Sequence, residues 1–122
     1  MTTSPQTVYH AYARAFEAQD LGGLAATFAD DAIVAVHDQL VEGRAAIRRI
    51  YADLFADIPD AVWRVCAQNF GRTSLFLRWE ADSRLYHVTG GATDFFFGGG
   101  LIRSQSLRYT LQPQLRLVPQ AT

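Results

Sequence analysis

The sequence predicts a single α+β domain in which a curved antiparallel sheet wraps on three helices drawn from the N-terminal half of the chain. Three observations carry this expectation. The chain has 122 residues, 49% of them apolar, which is enough for one core and too little for two domains of ordinary size. Apolar residues recur at helical spacing up to Pro59 and at a spacing of two from Ala61 onward. The later apolar runs are separated only by short clusters of turn formers, so consecutive strands must be antiparallel neighbours.

Ser4-Pro5 offers a capping hydroxyl and a proline suited to the first helical position. Val8, Tyr9, Tyr12, Ala15 and Phe16 then share one side of a helix spanning about residues 5 to 18. His10, Arg14 and Glu17 fall on its solvated side. Asp20 caps a second, short helix through Phe28, Asp30-Asp31 breaks the helical pattern, and AIVAV begins a strand. In EGRAAIRRIYADLFADI, Ile47, Ile50, Tyr51, Leu54, Phe55 and Ile58 form one stripe, with Arg49 and Asp53 on the wet side, and Pro59 ends the helix. VWRVCAQNF, SLFLRWEA, LYHVTGGATDFFF and LIRSQSLRYTL read as four strands, turning at Gly71-Arg72, at Asp82-Ser83 and at the glycines 98–100. Residues 1–4 and 114–122 are expected to be loose termini.

Along the strand with three consecutive phenylalanines, Thr93, Phe95 and Phe97 face one way and Ala92, Asp94 and Phe96 the other. Both sides therefore carry aromatic surface. One side belongs beneath the helices, with Leu75, Leu77 and Trp79 and with Gln105, Leu107 and Tyr109 of the neighbouring strands. The reverse side, bearing Phe76, Arg78 and Glu80, and Ser104, Ser106 and Arg108, is expected to meet a second copy of the chain in a homodimer formed through the sheet.

A net charge of −1 with acids and bases scattered throughout provides no field to attract nucleic acid or a membrane surface. No apolar run reaches the roughly 20 residues needed to cross a bilayer. The start, MTTSPQTVYH, lacks the basic and apolar regions of a signal peptide, so a cytoplasmic protein is expected. Cys66 is the single cysteine, which rules out an internal disulfide and a thiolate cluster within one chain. No two histidines have metal-ligand spacing, and His87, beside Tyr86 in a strand, reads as structural; neither a metal nor a cofactor is expected. Glycines 98–100 precede a strand and not a helix, so they form a turn and not a phosphate cradle. All basic residues are arginine, which together with the abundance of alanine resembles the coding bias of a high-GC bacterium.

The order of elements and the stretches YARAFEAQDLGGLAATFADDAIV, VEGRAAIRRIYADLF and TDFFFGGGLIRSQSLRYT together resemble the SnoaL-like group of the NTF2-like superfamily, over nearly the whole chain. The resemblance implies an NTF2-like cone: a bent sheet around helices, with a mostly apolar pocket for a small ligand and pairing through the sheet. The superfamily includes ketosteroid isomerases, polyketide cyclases, epoxide hydrolases, dehydratases and transport factors, so membership does not name an activity. Carried over from the isomerases, Tyr12 matches their helix-one tyrosine. Their base position falls on Val36, which cannot abstract a proton, and their late acid falls on Thr93, or on Asp94 after a one-residue shift.

Beyond the first strand stand His37 and Asp38. Asp38 shares strand parity with Val34 and Val36, which directs it inward among Phe16, Tyr51, Phe55 and Trp79, while His37 points away from the pocket. A histidine, or a carboxylate raised by apolar walls, is suited to general acid/base work, and the resemblance to polyketide cyclases implies an acidic residue in that role. The candidate catalytic residues are thus Asp38, Tyr12 and His37, with Phe16, Val36, Tyr51, Phe55, Trp79, Thr93, Asp94, Phe95, Gln105 and Tyr109 as candidate pocket residues. Two functional readings stay open. One is a cofactor-free isomerase, cyclase, dehydratase or hydrolase acting on a small apolar carbonyl or epoxide compound. The other is a ligand-binding or dimeric accessory domain without chemistry.

Overall fold

The structure, a computed structural model, describes residues 3–114. Helix α1 (Pro5–Glu17) and helix α2 (Leu21–Ala26) lead into β1 (Phe28–Val36) and β2 (Gln39–Glu42). Helix α3 (Arg44–Asp57) follows, and the strands β3 (Val62–Phe70), β4 (Ser74–Asp82), β5 (Tyr86–Gly98) and β6 (Leu101–Pro113) complete the chain. Both expected caps form: Ser4 Oγ accepts from the Thr7 amide at 3.3 Å, and Asp20 Oδ1 from the Gly23 amide at 3.0 Å. Ser4 is therefore not a loose end. Nor is Gln114, whose amide donates to the Leu85 carbonyl at 2.9 Å; residues 1–2 and 115–122 lie outside the described residues. No helix among the described residues is long and apolar enough to cross a membrane.

The six strands form one curved sheet in the order β2-β1-β6-β5-β4-β3. Two features differ from the expected antiparallel sheet of consecutive neighbours. Strand β1 pairs with β6 in parallel, which a long intervening connection permits and a short hairpin would forbid. Strand β2 pairs antiparallel with β1 through a tight turn at His37-Asp38.

The sheet bends at breaks in register between Val65 and Ala67, between Trp79 and Ala81, and between Thr89 and Ala92. Gly90 lies at the last of these with φ 63°, a conformation that only glycine adopts at little cost. The hollow so formed closes over the helices, and Leu24, Phe28, Ile47, Tyr51, Phe95 and Ile102 are fully buried in it. Arg44 ties the start of α3 to β1, its Nε donating to the Phe28 carbonyl at 2.8 Å and its Nη1 pairing with Asp30 at 2.8 Å. The alternation expected along β5 holds: Thr93, Phe95 and Phe97 are buried, and Phe96 on the reverse side is half exposed.

Candidate functional site

Between α1 and the concave face of the sheet lies a cavity of about 140 Å³, lined by Tyr9, Tyr12, Ala13, Phe16 and Glu17 of α1, Leu54 of α3, Trp63, Arg64 and Val65 of β3, and Leu77, Trp79, Thr93, Phe95 and Leu107 of β4 to β6. Its walls are aromatic and mutually braced. Phe16 meets Trp63 edge-on at 4.7 Å between ring centroids, Trp63 meets Trp79 at 5.3 Å, and Tyr12 meets Phe95 edge-on at 5.0 Å. Trp79 is held in orientation because its Nε1 donates to Thr93 Oγ1 at 2.9 Å, and because its ring lies against Gly91, where there is no side chain. Among the described residues, Glu17 and Arg64 are the charged groups lining this cavity, and both are exposed. The Arg64 guanidinium is already engaged with Glu80 at 3.2 Å and Asp82 at 2.8 Å.

A buried polar chain starts at this cavity's wall. The Tyr12 and Tyr51 hydroxyls are 2.7 Å apart, and Tyr51 donates to Gln105 Oε1 at 2.6 Å. A tyrosine hydroxyl has one proton. With that of Tyr51 committed to Gln105, the proton between the two tyrosines belongs to Tyr12, leaving the Tyr12 oxygen to accept. Burial pushes the Tyr12 phenol from 10.0 up to about 12. It also pushes Tyr51 well above its ordinary value, with the charge of an ionised Tyr12 adding to the effect. Both stay protonated at neutral pH and serve as hydrogen-bonding groups, not as bases. At the end of the chain, Gln105 Nε2 is buried without a partner.

A second cavity of about 390 Å³ lies between α3 and the β1–β6 side of the sheet, lined by Val36, His37, Asp38, Gln39, Ile50, Asp53, Leu54, Asp57, Leu107 and Tyr109. The His37 ring meets Tyr109 edge-on at 4.6 Å. Partial burial, and then the charge of Asp57, raise the Tyr109 phenol.

The structure divides the candidate residues between these places. Tyr12, Phe16, Trp79, Thr93 and Phe95 line the aromatic cavity, while Tyr51 and Gln105 stand behind its wall in the polar chain. Phe55 packs on Phe16 at 5.2 Å without lining either cavity. Asp38 does not enter among Phe16, Tyr51, Phe55 and Trp79; it is exposed and lines the second cavity with Val36, His37 and Tyr109. The reason is local. Strand β1 ends at Val36 and His37 takes φ 53°, so strand parity does not reach Asp38 and His37 does not point away. Asp94 does not enter a pocket as the one-residue shift would have it; it lies on the convex face, where alternation places it, with Ser106 Oγ 3.4 Å from its carboxylate. The register keeps Thr93 inward, opposite Leu77 and Leu107. Trp63 was not among the candidates, although its neighbour in parity, Val65, pairs with Trp79 across the hairpin, and that pairing is legible in the two strand patterns.

Three helices and a bent sheet closing on an apolar hollow define an NTF2-like, cystatin-like fold, which solved structures of this architecture share. The family model for the SnoaL-like domain matches residues 9–103, and the chain belongs to that family. A candidate polyketide cyclase from Sinorhizobium meliloti superposes with a TM-score of 0.71 at 20% identity, covering 82% of this chain and 92% of the other. A candidate ketosteroid isomerase from Kribbella flavida does so with 0.73 at 16% identity, covering 95% and 86%. The epoxide hydrolase/cyclase-like enzyme SalBIII, described in pyran ring formation in the polyether salinomycin, gives 0.72 at 17% identity, covering 86% and 89%. At these identities the likeness is one of fold. No protein of curated function matches the chain.

Proposed function

We propose that this SnoaL-like protein binds a small, largely apolar compound, with the compound's ring enclosed by the aromatic cavity and its hydroxyl donating to Tyr12. The observation that carries this reading is the Tyr12–Tyr51–Gln105 chain, which begins at a wall of aromatic rings and leaves the Tyr12 oxygen as an acceptor. Apolar enclosure supplies affinity and the single polar contact supplies orientation. Benzyl alcohol and benzaldehyde separate these contributions, since they are nearly the same shape and only the alcohol donates. Both tryptophans of the chain line the cavity, so their fluorescence reports occupancy. The alcohol is expected to bind about threefold to tenfold more tightly than the aldehyde, the worth of one net hydrogen bond. In Gln105→Leu, Tyr51 loses its acceptor and turns its proton to Tyr12, which then donates to the ligand, so the preference should reverse. Tyr12→Phe should abolish the preference. Equal affinities in the wild type would contradict the role given to Tyr12.

A second reading, a cofactor-free acid–base enzyme, is supported by the placement of His37 and Asp38 side by side on the larger cavity, adjoining the aromatic one, and by the names of the structural relatives. For a compound that the protein turns over, Asp38→Asn or His37→Gln should then cost about a hundredfold in turnover with binding retained. Unchanged turnover in both variants would remove this reading.

We also infer a homodimer through the convex face. Phe96 is 50% exposed there. Along this face Asp94 is one step from the row in which Ala92 lies between Arg78 and Arg108. Among the described residues neither arginine forms an ion pair. A two-fold axis through this patch would set each Asp94 against the other copy's arginines while covering Phe96 and Phe76. Sedimentation equilibrium should give a dimer at micromolar concentration and a monomer for Phe96→Arg; a wild-type monomer would contradict the interface.

A further inference from the structure

The two cavities share two residues, Leu54 and Leu107, and we propose that they are the two lobes of one binding site for an elongated molecule, partitioned by these leucines. On the sheet, Leu107 pairs with Thr93 on one side and with Val36 on the other. Thr93 lines the aromatic lobe and Val36 the larger lobe. The partition on this floor is therefore one strand wide, about 5 Å. On the helix, Leu54 reaches the aromatic lobe while Ile50, Asp53 and Asp57 of the same helix line only the larger one. The partition is one side chain thick here too. Leucine side chains pass between rotamers without any movement of the backbone, so a ligand chain can displace them and run from one lobe into the other.

The chemistry of the lobes sets the class of ligand. The aromatic lobe takes a ring. The larger lobe has Asp38, Asp53 and Asp57 on its rim and, among the described residues, no arginine lining it, so it disfavours a carboxylate or phosphate and suits an alkyl chain ending in an uncharged or cationic polar group. The site thus fits a ring carrying a flexible, non-anionic tail.

This inference rests on the binding reading above, and one titration series separates the two. Benzyl alcohol fills the aromatic lobe alone; 6-phenylhexan-1-ol carries the same ring on a chain long enough to pass the leucines, and 6-phenylhexanoate is its anionic counterpart. With tryptophan fluorescence as the readout, the long alcohol is expected to bind the wild type at least about tenfold more tightly than benzyl alcohol, because the several methylenes it buries outweigh the Tyr12 hydrogen bond that its distant hydroxyl gives up. The carboxylate should lose most of that gain. Ile50→Trp fills the larger lobe from its own wall, and because it adds a third tryptophan its affinities are read by calorimetry. It should leave benzyl alcohol unchanged and bring the long alcohol to within about threefold of it. Normal binding of benzyl alcohol with no gain for the long alcohol, or a gain that survives Ile50→Trp, would overturn the two-lobed site and leave the binding reading intact. Failure of both alcohols to bind would overturn the binding reading and this inference with it.

Discussion

Replacing Gly91 by alanine should lower stability by about 3 kcal/mol, the upper part of the range for overpacking a filled core, and should deform the aromatic cavity. A β-carbon at this position would stand 2.5 Å from the carbonyl oxygen of Trp79 and 2.7 Å from its Cε2, with Cδ2 also in collision. The oxygen belongs to the backbone of the neighbouring strand and cannot step aside. The ring can yield only by shifting, which strains the bond from Nε1 to Thr93 and moves a wall of the cavity. Urea unfolding should show a lowered midpoint with an unchanged slope, and the remaining folded protein should bind benzyl alcohol poorly. Wild-type stability and wild-type binding in Gly91→Ala would show that Trp79 does not brace the site as described.

Alkaline pH should destabilise the fold through Tyr12 and Tyr51. Tyr12 has a pKa of 10.0 ordinarily and about 12 in the folded chain, so the unfolded chain loses this proton first. The stability tied to keeping the phenol neutral is fully present below pH 10 and is lost as the pH rises toward about 12. The gap corresponds to about 3 kcal/mol, and Tyr51 moves in the same direction. Chemical denaturation at a series of pH values should show a steep fall above pH 10 that is much shallower in the double variant Tyr12→Phe, Tyr51→Phe. The half-buried Tyr9 and Tyr109 are raised as well, which leaves the double variant some slope. An equally steep fall in both proteins would place the alkaline transition elsewhere.

Most of the fold was legible because two periodicities and a few turn formers decide it. The bounds of β3 match the stretch read as a strand from Val62 to Phe70, and alternation gives the two faces of β4 and of β5 from Gly91 to Phe97, down to Phe95 inside and Phe96 outside, but it breaks across the bulge at Gly90 and between Ile102 and Gln105. Strand β2 was not legible. It has four residues, largely exposed, and alternation over QLVE is too short to register.

The site was legible in part, for a different reason. Tyr12, Phe16, Trp79, Thr93 and Phe95 converge because each lies on the buried face of its own element, and that is a local pattern. Asp38 was misplaced because a single backbone torsion at His37 ends the strand, and histidine, although enriched at positive φ among non-glycine residues, is too weak a signal to announce it. The roles of Leu54 and Leu107 depend on which cavity lies on either side of them. That is a tertiary coincidence between a helix and a strand more than fifty residues apart in sequence, and an apolar periodicity reads both simply as core.

A crystal structure of the protein with benzyl alcohol bound is the most direct test of the central claim, that the aromatic cavity is a ligand site polarised by Tyr12. The ring is expected among Phe16, Trp63, Trp79 and Phe95, with the hydroxyl within hydrogen-bonding distance of the Tyr12 oxygen and the Tyr12–Tyr51–Gln105 chain intact. Density for the alcohol only on the convex face or at the rim beside Asp38, with the aromatic cavity empty at saturating concentration, would contradict it.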